Sequence, residues 1–209
     1  MQTILCMNAK GGCGKTTIAT NLATWYADDG YKTALMDFDP QRSSIDWLAA
    51  REDYEGVPQI EGVDAVAGDA RTAHGTDVAV IDAPAGTFGS AITPLLRRAD
   101  ALLVPVLPSP IDMRAASRFI AELLESGRIS RGQTRIGLIA NRVRENTRIF
   151  HSLEDFLAGY DIPVLTHLRE SQNYIRAAET GLGIFELAPS MVAQDVPQWD
   201  PVIAWLRKG

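Results

Sequence analysis

The stretch NAKGGCGKTT, Asn8–Thr17, stands between a short apolar run, TILCMN, and a segment with helical periodicity from Lys15 to Asp28. Strand, glycine-rich turn and helix in that order make a loop whose backbone N–H groups surround anionic oxygens at a helix N-terminus. Gly11, Gly12 and Gly14 supply the turn, Lys15 reaches toward terminal phosphates, and the Thr16 hydroxyl suits a magnesium ion. The common pattern GxxxxGK followed by Ser or Thr asks for glycine at position 9, where this chain has Ala9. A second lysine, Lys10, sits in the same turn, although one polyphosphate needs only one. The chain has four lysines against sixteen arginines, so half of its lysines fall in this loop.

Outward from the loop, apolar runs alternate with helix-length amphipathic segments: KTALMDF, DVAVIDA, ALLVPVL and RIGLIAN follow in turn. Short runs without internal polar alternation read as strands covered on both faces, which means a parallel sheet. The expected fold is therefore α/β, a doubly wound and mostly parallel sheet, in one domain spanning residues 1–209. In such sheets ligands sit outside the carboxyl ends of the strands. The polar turns DFDPQRSS, DAPAG, PSPID and NRVREN all fall at those ends, beside the glycine loop.

Composition narrows the function classes. A content of 46% hydrophobic residues over 209 positions is ample for a packed core. Cys6 and Cys13 offer neither a disulfide framework nor a metal-binding pair, which suits a reducing compartment. The N-terminal apolar run has no basic start and no small-residue cleavage site, so a buried strand is expected rather than a signal peptide. No run approaches the ~20 residues of a membrane span, and a soluble protein is expected. Net charge is −6, yet unevenly spread. Residues 1–112 hold eight basic and fifteen acidic side chains, whereas residues 113–148 hold eight arginines against three glutamates. Solvated helix faces would produce the same local excess. His74, His151 and His167 lack ligand spacing, and the four tryptophans are expected to pack.

The sequence KGGCGKTT resembles the deviant Walker A motif of the ParA/MinD ATPases, which are P-loop NTPases. LMDFDPQRS is similar to that family's second motif and VAVIDAPAG to its Walker B. The resemblance implies ATP and Mg²⁺ as ligands, with Gly11, Gly12, Cys13, Gly14, Lys15, Thr16 and Thr17 around the phosphates and Asn141 on the adenine. It makes Thr16 the direct magnesium ligand and lets Asp37 and Asp82 act through metal-bound waters. Asp39 becomes the carboxylate that positions the attacking water, and Lys10 crosses to the nucleotide of a second subunit, so that ATP joins a homodimer. Read without the family, Asp37 and Asp39 would also serve as a helix cap and a turn aspartate, and Asn141 as an ordinary strand-ending turn. Pro108, Ser109 and Asp112 fall where the pocket or the dimer face is expected.

LRESQNYIRAAETGLGIFEL resembles the family segment that contributes to nonspecific DNA binding, with Arg176 at the matching arginine and Arg148 and Arg169 as neighbours. A solvated helix arginine would look the same at position 176. The chain resembles the small ParA proteins that start at their first strand, so operator-specific binding is not expected. The implied function is positioning or segregating a cargo, whether plasmid, chromosome or protein organelle such as a carboxysome, through partner-stimulated ATP hydrolysis. The implied partner is a cargo adaptor, ParB/ParG-like or organelle-positioning, in a cytoplasmic, nucleoid-associated setting without a stable membrane anchor. A MinD-like membrane-cycling ATPase is the alternative, and it needs a terminal amphipathic helix with lysines on its polar face. QWDPVIAWLRKG suits a docked last helix at least as well. Iron–sulfur relatives of the loop need cysteines at a dimer face, and Cys6 and Cys13 lie elsewhere.

Overall fold

The computed structural model describes residues 1–68 and 70–208. Seven strands form one sheet: β1 (Gln2–Cys6), β2 (Thr33–Asp37), β3 (Glu61–Asp64), β4 (Val78–Asp82), β5 (Ala101–Val106), β6 (Arg135–Val143) and β7 (Val164–Arg169). Their order is β3-β2-β4-β1-β5-β6-β7, and every neighbouring pair is parallel. Helices α1 (Lys15–Asp28), α2 (Ser43–Arg51), α3 (Ile92–Arg98), α4 (Pro110–Glu125), α5 (Gly127–Ser130), α6 (Arg148–Ala158), α7 (Gln172–Glu179), α8 (Pro189–Val192) and α9 (Asp200–Leu206) cover it.

The apolar strand runs follow from this two-sided cover. In β1, Leu5 belongs to the buried cluster that contains Leu96 of α3, Phe119 of α4 and Leu153 of α6, whereas Ile4 and Cys6 belong to a second cluster with Ile18 of α1 and Trp199 and Val202. With helices on both faces, neither parity of residue can be polar. The chain leaves β1 toward β2 and leaves β4 toward β5 on the other side, so the strand order reverses beside β1. That reversal opens the crevice where ligands bind in such sheets.

Two strands escape the sequence reading. β3 buries only Val63, and β7 carries Thr166, His167 and Arg169. Both are edge strands, and an edge strand keeps polar residues that a central one excludes. A third difference concerns Asn141, which was expected to end its strand. β6 continues to Val143, with Arg142 in the left-handed region at φ 52° and a register shift against β7 between Ala140 and Val143.

The C-terminal helix is stitched to the sheet. Val202 and Leu206 are fully buried, Gln2 Nε2 donates to Leu206 O at 2.8 Å, and Arg135 donates to Trp205 O at 2.9 Å while stacking on the Trp205 ring. A second fastening joins α2 to the segment after α7. Arg51, 5% exposed, donates to both oxygens of Glu186, and also to Gly181 O at 3.1 Å and Pro58 O at 3.0 Å. Gly181, at φ +69°, admits no Cβ there because one would lie 2.2 Å from Arg51 N.

Removing one partner of a buried pair strands the other charge in a medium that solvates it poorly, at about 3–5 kcal/mol. Glu186→Ala should lower the unfolding free energy by that amount in a urea titration. Arg51→Met/Glu186→Leu should recover part of it, because no lone charge remains.

Candidate nucleotide site

The glycine loop is held from both sides. Asn8 is buried, donates from Nδ2 to Pro105 O of β5 at 2.7 Å, and accepts at Oδ1 from Lys10 N at 3.1 Å. Asn141 Nδ2, arriving from β6, donates to Cys13 O at 2.8 Å. Gly12 and Gly14 have φ +78° and +96°, and a Cβ on Gly14 would lie 2.2 Å from Asn141 Nδ2. Gly14 is thus required twice, for its backbone angle and for the amide beside it. The loop delivers Lys15 as the first residue of α1, so α1 points its N-terminal amides at the turn. Lys15 Nζ, almost fully buried, lies 3.4 Å from Lys10 O, inside the loop it would share with a phosphate.

Beneath the loop, the carboxyl ends of β2 and β4 place two buried carboxylates together. Asp82, 1% exposed, accepts at Oδ2 from Thr16 Oγ1 at 2.7 Å and from Ser44 Oγ at 2.8 Å. Its Oδ1 is buried without a protein partner among the described residues. Burial, aided by the nearby Asp37 charge and opposed by the Thr16 and Ser44 hydroxyls and Lys15, pushes the Asp82 carboxyl up to about 6. Asp37, also fully buried, is raised chiefly by burial. Asp37 accepts from Ser44 N at 2.8 Å and Ile45 N at 3.2 Å, capping the first turn of α2, and from Asp39 N at 2.9 Å. The helix-cap role open to Asp37 from sequence is therefore present. Asp39, half-buried, accepts from Gln41 N at 2.9 Å and from Ala85 N at 3.1 Å.

An orphaned buried carboxylate oxygen beside a threonine hydroxyl suits a hard divalent cation. Magnesium is held by one or two protein oxygens with waters and phosphate oxygens completing its shell, and Thr16 and Asp82 provide such a donor set.

Gly11, Gly12, Gly14, Lys15, Thr16, Thr17, Asp39 and Asn141 line one cleft of about 860 Å³. Leu168, Glu170, Tyr174 and Ile175 form its far wall, and sequence reasoning missed all four. They lie at the end of β7 and in the stretch after it, which the sequence reading assigns to DNA contact rather than to the nucleotide pocket. Ser44 and Asn8 lie inside recognisable motifs, but their partners are distant in sequence. Pro108, Ser109 and Asp112 do not line the cleft. Ser109 instead caps α4, accepting from Asp112 N. A groove of about 930 Å³ at the amino ends of β2 and β3, near Lys32, Glu61 and His74, contains none of the loop residues. The glycine loop opens into the smaller cleft.

Lys10 is half-buried at the open side of the loop, beside exposed Gly11 and Gly12, and its amine has no partner among the described residues. Cys13 is buried and its Sγ donates to Lys10 O at 3.2 Å; burial raises its thiol above the ordinary value, as it does more strongly for Cys6. The three arginines expected at DNA separate. Arg148 and Arg176 are exposed, on the first turn of α6 and the last of α7. Arg169 is engaged with buried Asp195 at 2.6 Å. Burial pushes Asp195 up, but bonds from Arg169 and Asn173 outweigh it and hold its carboxyl below the ordinary range.

Residues 4–184 match the family described as the CobQ/CobB/MinD/ParA nucleotide binding domain. The chain is 30% identical over 191 residues to maintenance of carboxysome distribution protein A of Halothiobacillus neapolitanus, covering 88% of this chain and 87% of that one. Among solved structures, it superposes on a putative plasmid partition protein of Borrelia burgdorferi bound to AMPPNP with a TM-score of 0.73 at 18% identity, covering 100% of this chain and 99% of that one. The MinC:MinD cell division complex of Aquifex aeolicus gives a TM-score of 0.68 at 20% identity, covering 100% and 95%. These last two likenesses concern the fold. Loop, sheet order and family match agree: the chain belongs to the CobQ/CobB/MinD/ParA nucleotide-binding family, as a ParA/MinD-type P-loop NTPase with a deviant Walker A loop.

Proposed function

We propose that this chain is a Mg²⁺-dependent ATPase that dimerises around ATP, binds DNA without sequence preference and positions a cargo through partner-stimulated hydrolysis. The observation that carries the reading is the convergence of Lys15, Thr16, Asp82 and Asp39 on one cleft wall or directly beneath it. Phosphoryl transfer to water asks a protein mainly to align the nucleophile and to offset charge. Lys15 and the loop amides hold the phosphates, and the Asp39 carboxylate, fixed by two backbone N–H groups, orients the water. Thr16, Asp82 and Asp37 would hold a Mg²⁺ ion, which when bound would supply charge neutralisation at the phosphates. Asn141, whose amide is already oriented by Cys13 O, faces the base.

Lys10 supplies the remaining positive charge in trans. Its free amine at the open side of the loop supports that role, since nothing among the described residues of its own chain neutralises it. The homologous carboxysome distribution protein supports a positioning function. The cargo adaptor belongs to the class that serves a plasmid, a chromosome or an organelle of that kind, and the working location is the nucleoid within the cytoplasm. Arg176 and Arg148 are the proposed phosphate contacts, because neither has an acidic partner among the described residues. Arg169 contributes by holding the end of β7 in place rather than as a free cation. In α9 the apolar residues Val202, Ile203 and Leu206 are buried, so this helix offers no free apolar face for a membrane-cycling role.

Two experiments test this reading. Lys15→Ala should lose nucleotide binding, whereas Lys10→Ala should keep measurable ATP affinity and lose ATP-dependent dimerisation in sedimentation; a Lys10→Ala protein that dimerises and turns over normally refutes the trans role. Binding to a random duplex across a salt series should need ATP rather than ADP. Arg176→Glu should weaken it and flatten the slope of log K against log salt by about 0.9 for each phosphate the protein no longer neutralises. Equal binding with both nucleotides would remove DNA from the proposal.

A further inference from the structure

The segment after β4 is pinned at three points, and only the last of them lies outside the motifs. Ala85 N donates to Asp39 Oδ2 at 3.1 Å, and Gly86 N donates to Ala9 O of the phosphate loop at 2.9 Å. Gly89 N donates to Glu122 Oε1, a carboxylate presented by the last turn of α4. Gly86 and Gly89 stand at φ +70° and +60°, so the segment reverses at both positions, and exposed Phe88 lies between them. Glu122 is half-buried and forms no ion pair among the described residues; the Gly89 amide is its one hydrogen-bond partner there. A carboxylate kept half out of water to accept a single backbone bond, with arginines present on the same helix, points to a positional purpose rather than a charge-pairing one.

We propose that Glu122 is a positioning residue for ATP hydrolysis, acting through the tethered segment Ala85–Gly89 on Asp39. The inference rests on the function proposed above. Asp39 is half-buried, and its two oxygens are each engaged by one backbone amide. One amide, Gln41 N, is local to the Asp39 turn; the other, Ala85 N, belongs to the segment that Glu122 anchors. Gly89 follows Ala85 by four positions, and the Gly86 bond to the phosphate loop lies between them. If α4 releases Gly89, the segment keeps its Ala9 contact but loses the anchor that sets the direction of the chain beyond it. The amide that fixes Asp39 Oδ2 then sits on a segment held at Gly86 alone, and the carboxylate that orients the water is fixed less firmly at that oxygen. Displacements of about 1 Å at a reacting group can cost two orders of magnitude in rate without weakening substrate binding. Glu122 therefore affects turnover and leaves nucleotide affinity alone, a split that a merely structural residue does not produce.

The test uses the full chain with saturating ATP and Mg²⁺, reading phosphate release, the affinity of a fluorescent ATP analogue and thermal melting. Glu122→Ala should lower kcat about tenfold or more, with affinity within about twofold of wild type. Glu122→Gln retains an oxygen that accepts from Gly89 N and should recover most of the turnover. If Glu122→Ala does not fold, Glu122→Asp, one methylene short of the amide, carries the same expectation. The double variant Asp39→Ala/Glu122→Ala should be no slower than Asp39→Ala alone, because both act on the same water. Unchanged turnover in Glu122→Ala, or fully additive effects in the double variant, overturns the tether and leaves the ATPase reading intact. An Asp39→Ala protein that hydrolyses ATP at the wild-type rate overturns that reading, and the tether with it.

Discussion

The Asp82 carboxylate is the constraint to which the rest of the site answers. It ends a central strand, lies out of contact with solvent, and receives hydroxyls from the first turns of two helices, through Thr16 of α1 and Ser44 of α2. Those two bonds fix where α1 and α2 begin relative to β4, and hence where the glycine loop and the Asp39 turn stand. A carboxylate so placed is costly unless it is paired or protonated, and its pKa near 6 expresses that cost. The arrangement leaves one oxygen without a partner among the described residues. A protein selected for stability alone would place an apolar residue here; this one keeps a group whose proper counterpart is a cation.

Around that point the site is a junction of strand ends rather than a product of any one segment. Asn8 ties the loop to β5, Asn141 ties it to β6, and Gly86 ties it to the turn after β4. The parallel sheet makes this possible, because all seven strands deliver their carboxyl ends to the same edge. The protein's own hydrogen bonds therefore help to set the curvature of the loop, and they contribute to ordering it on folding.

What could be read from the sequence was what depends on neighbours along the chain. The glycine loop, the helix from Lys15 to Asp28 and the central strands carry local signals of composition and period, and the structure has them where those signals lie. β3 and β7 were missed because edge strands tolerate the polar residues that otherwise mark a loop. The end of β6 was misplaced because the left-handed Arg142 bends the strand without ending it. Arg169 looked like a free cation until Asp195, distant in sequence, appeared beside it. Glu122, Ser44 and Asn8 take their meaning from partners at least 33 residues away, which no local pattern encodes.

The two cysteines have a consequence for spectroscopy. Both are buried, and burial raises both thiols above the ordinary value, toward the protonated form. A thiol reacts as its thiolate and only where a reagent can reach it, so the folded chain behaves toward maleimides as though it had no cysteine. A single cysteine introduced on an exposed position of α4 or α7 becomes the one point of dye attachment, with the native phosphate loop untouched. Distances between two copies, or between one copy and a nucleic acid, can then be followed by energy transfer without first stripping the molecule of its own sulfur.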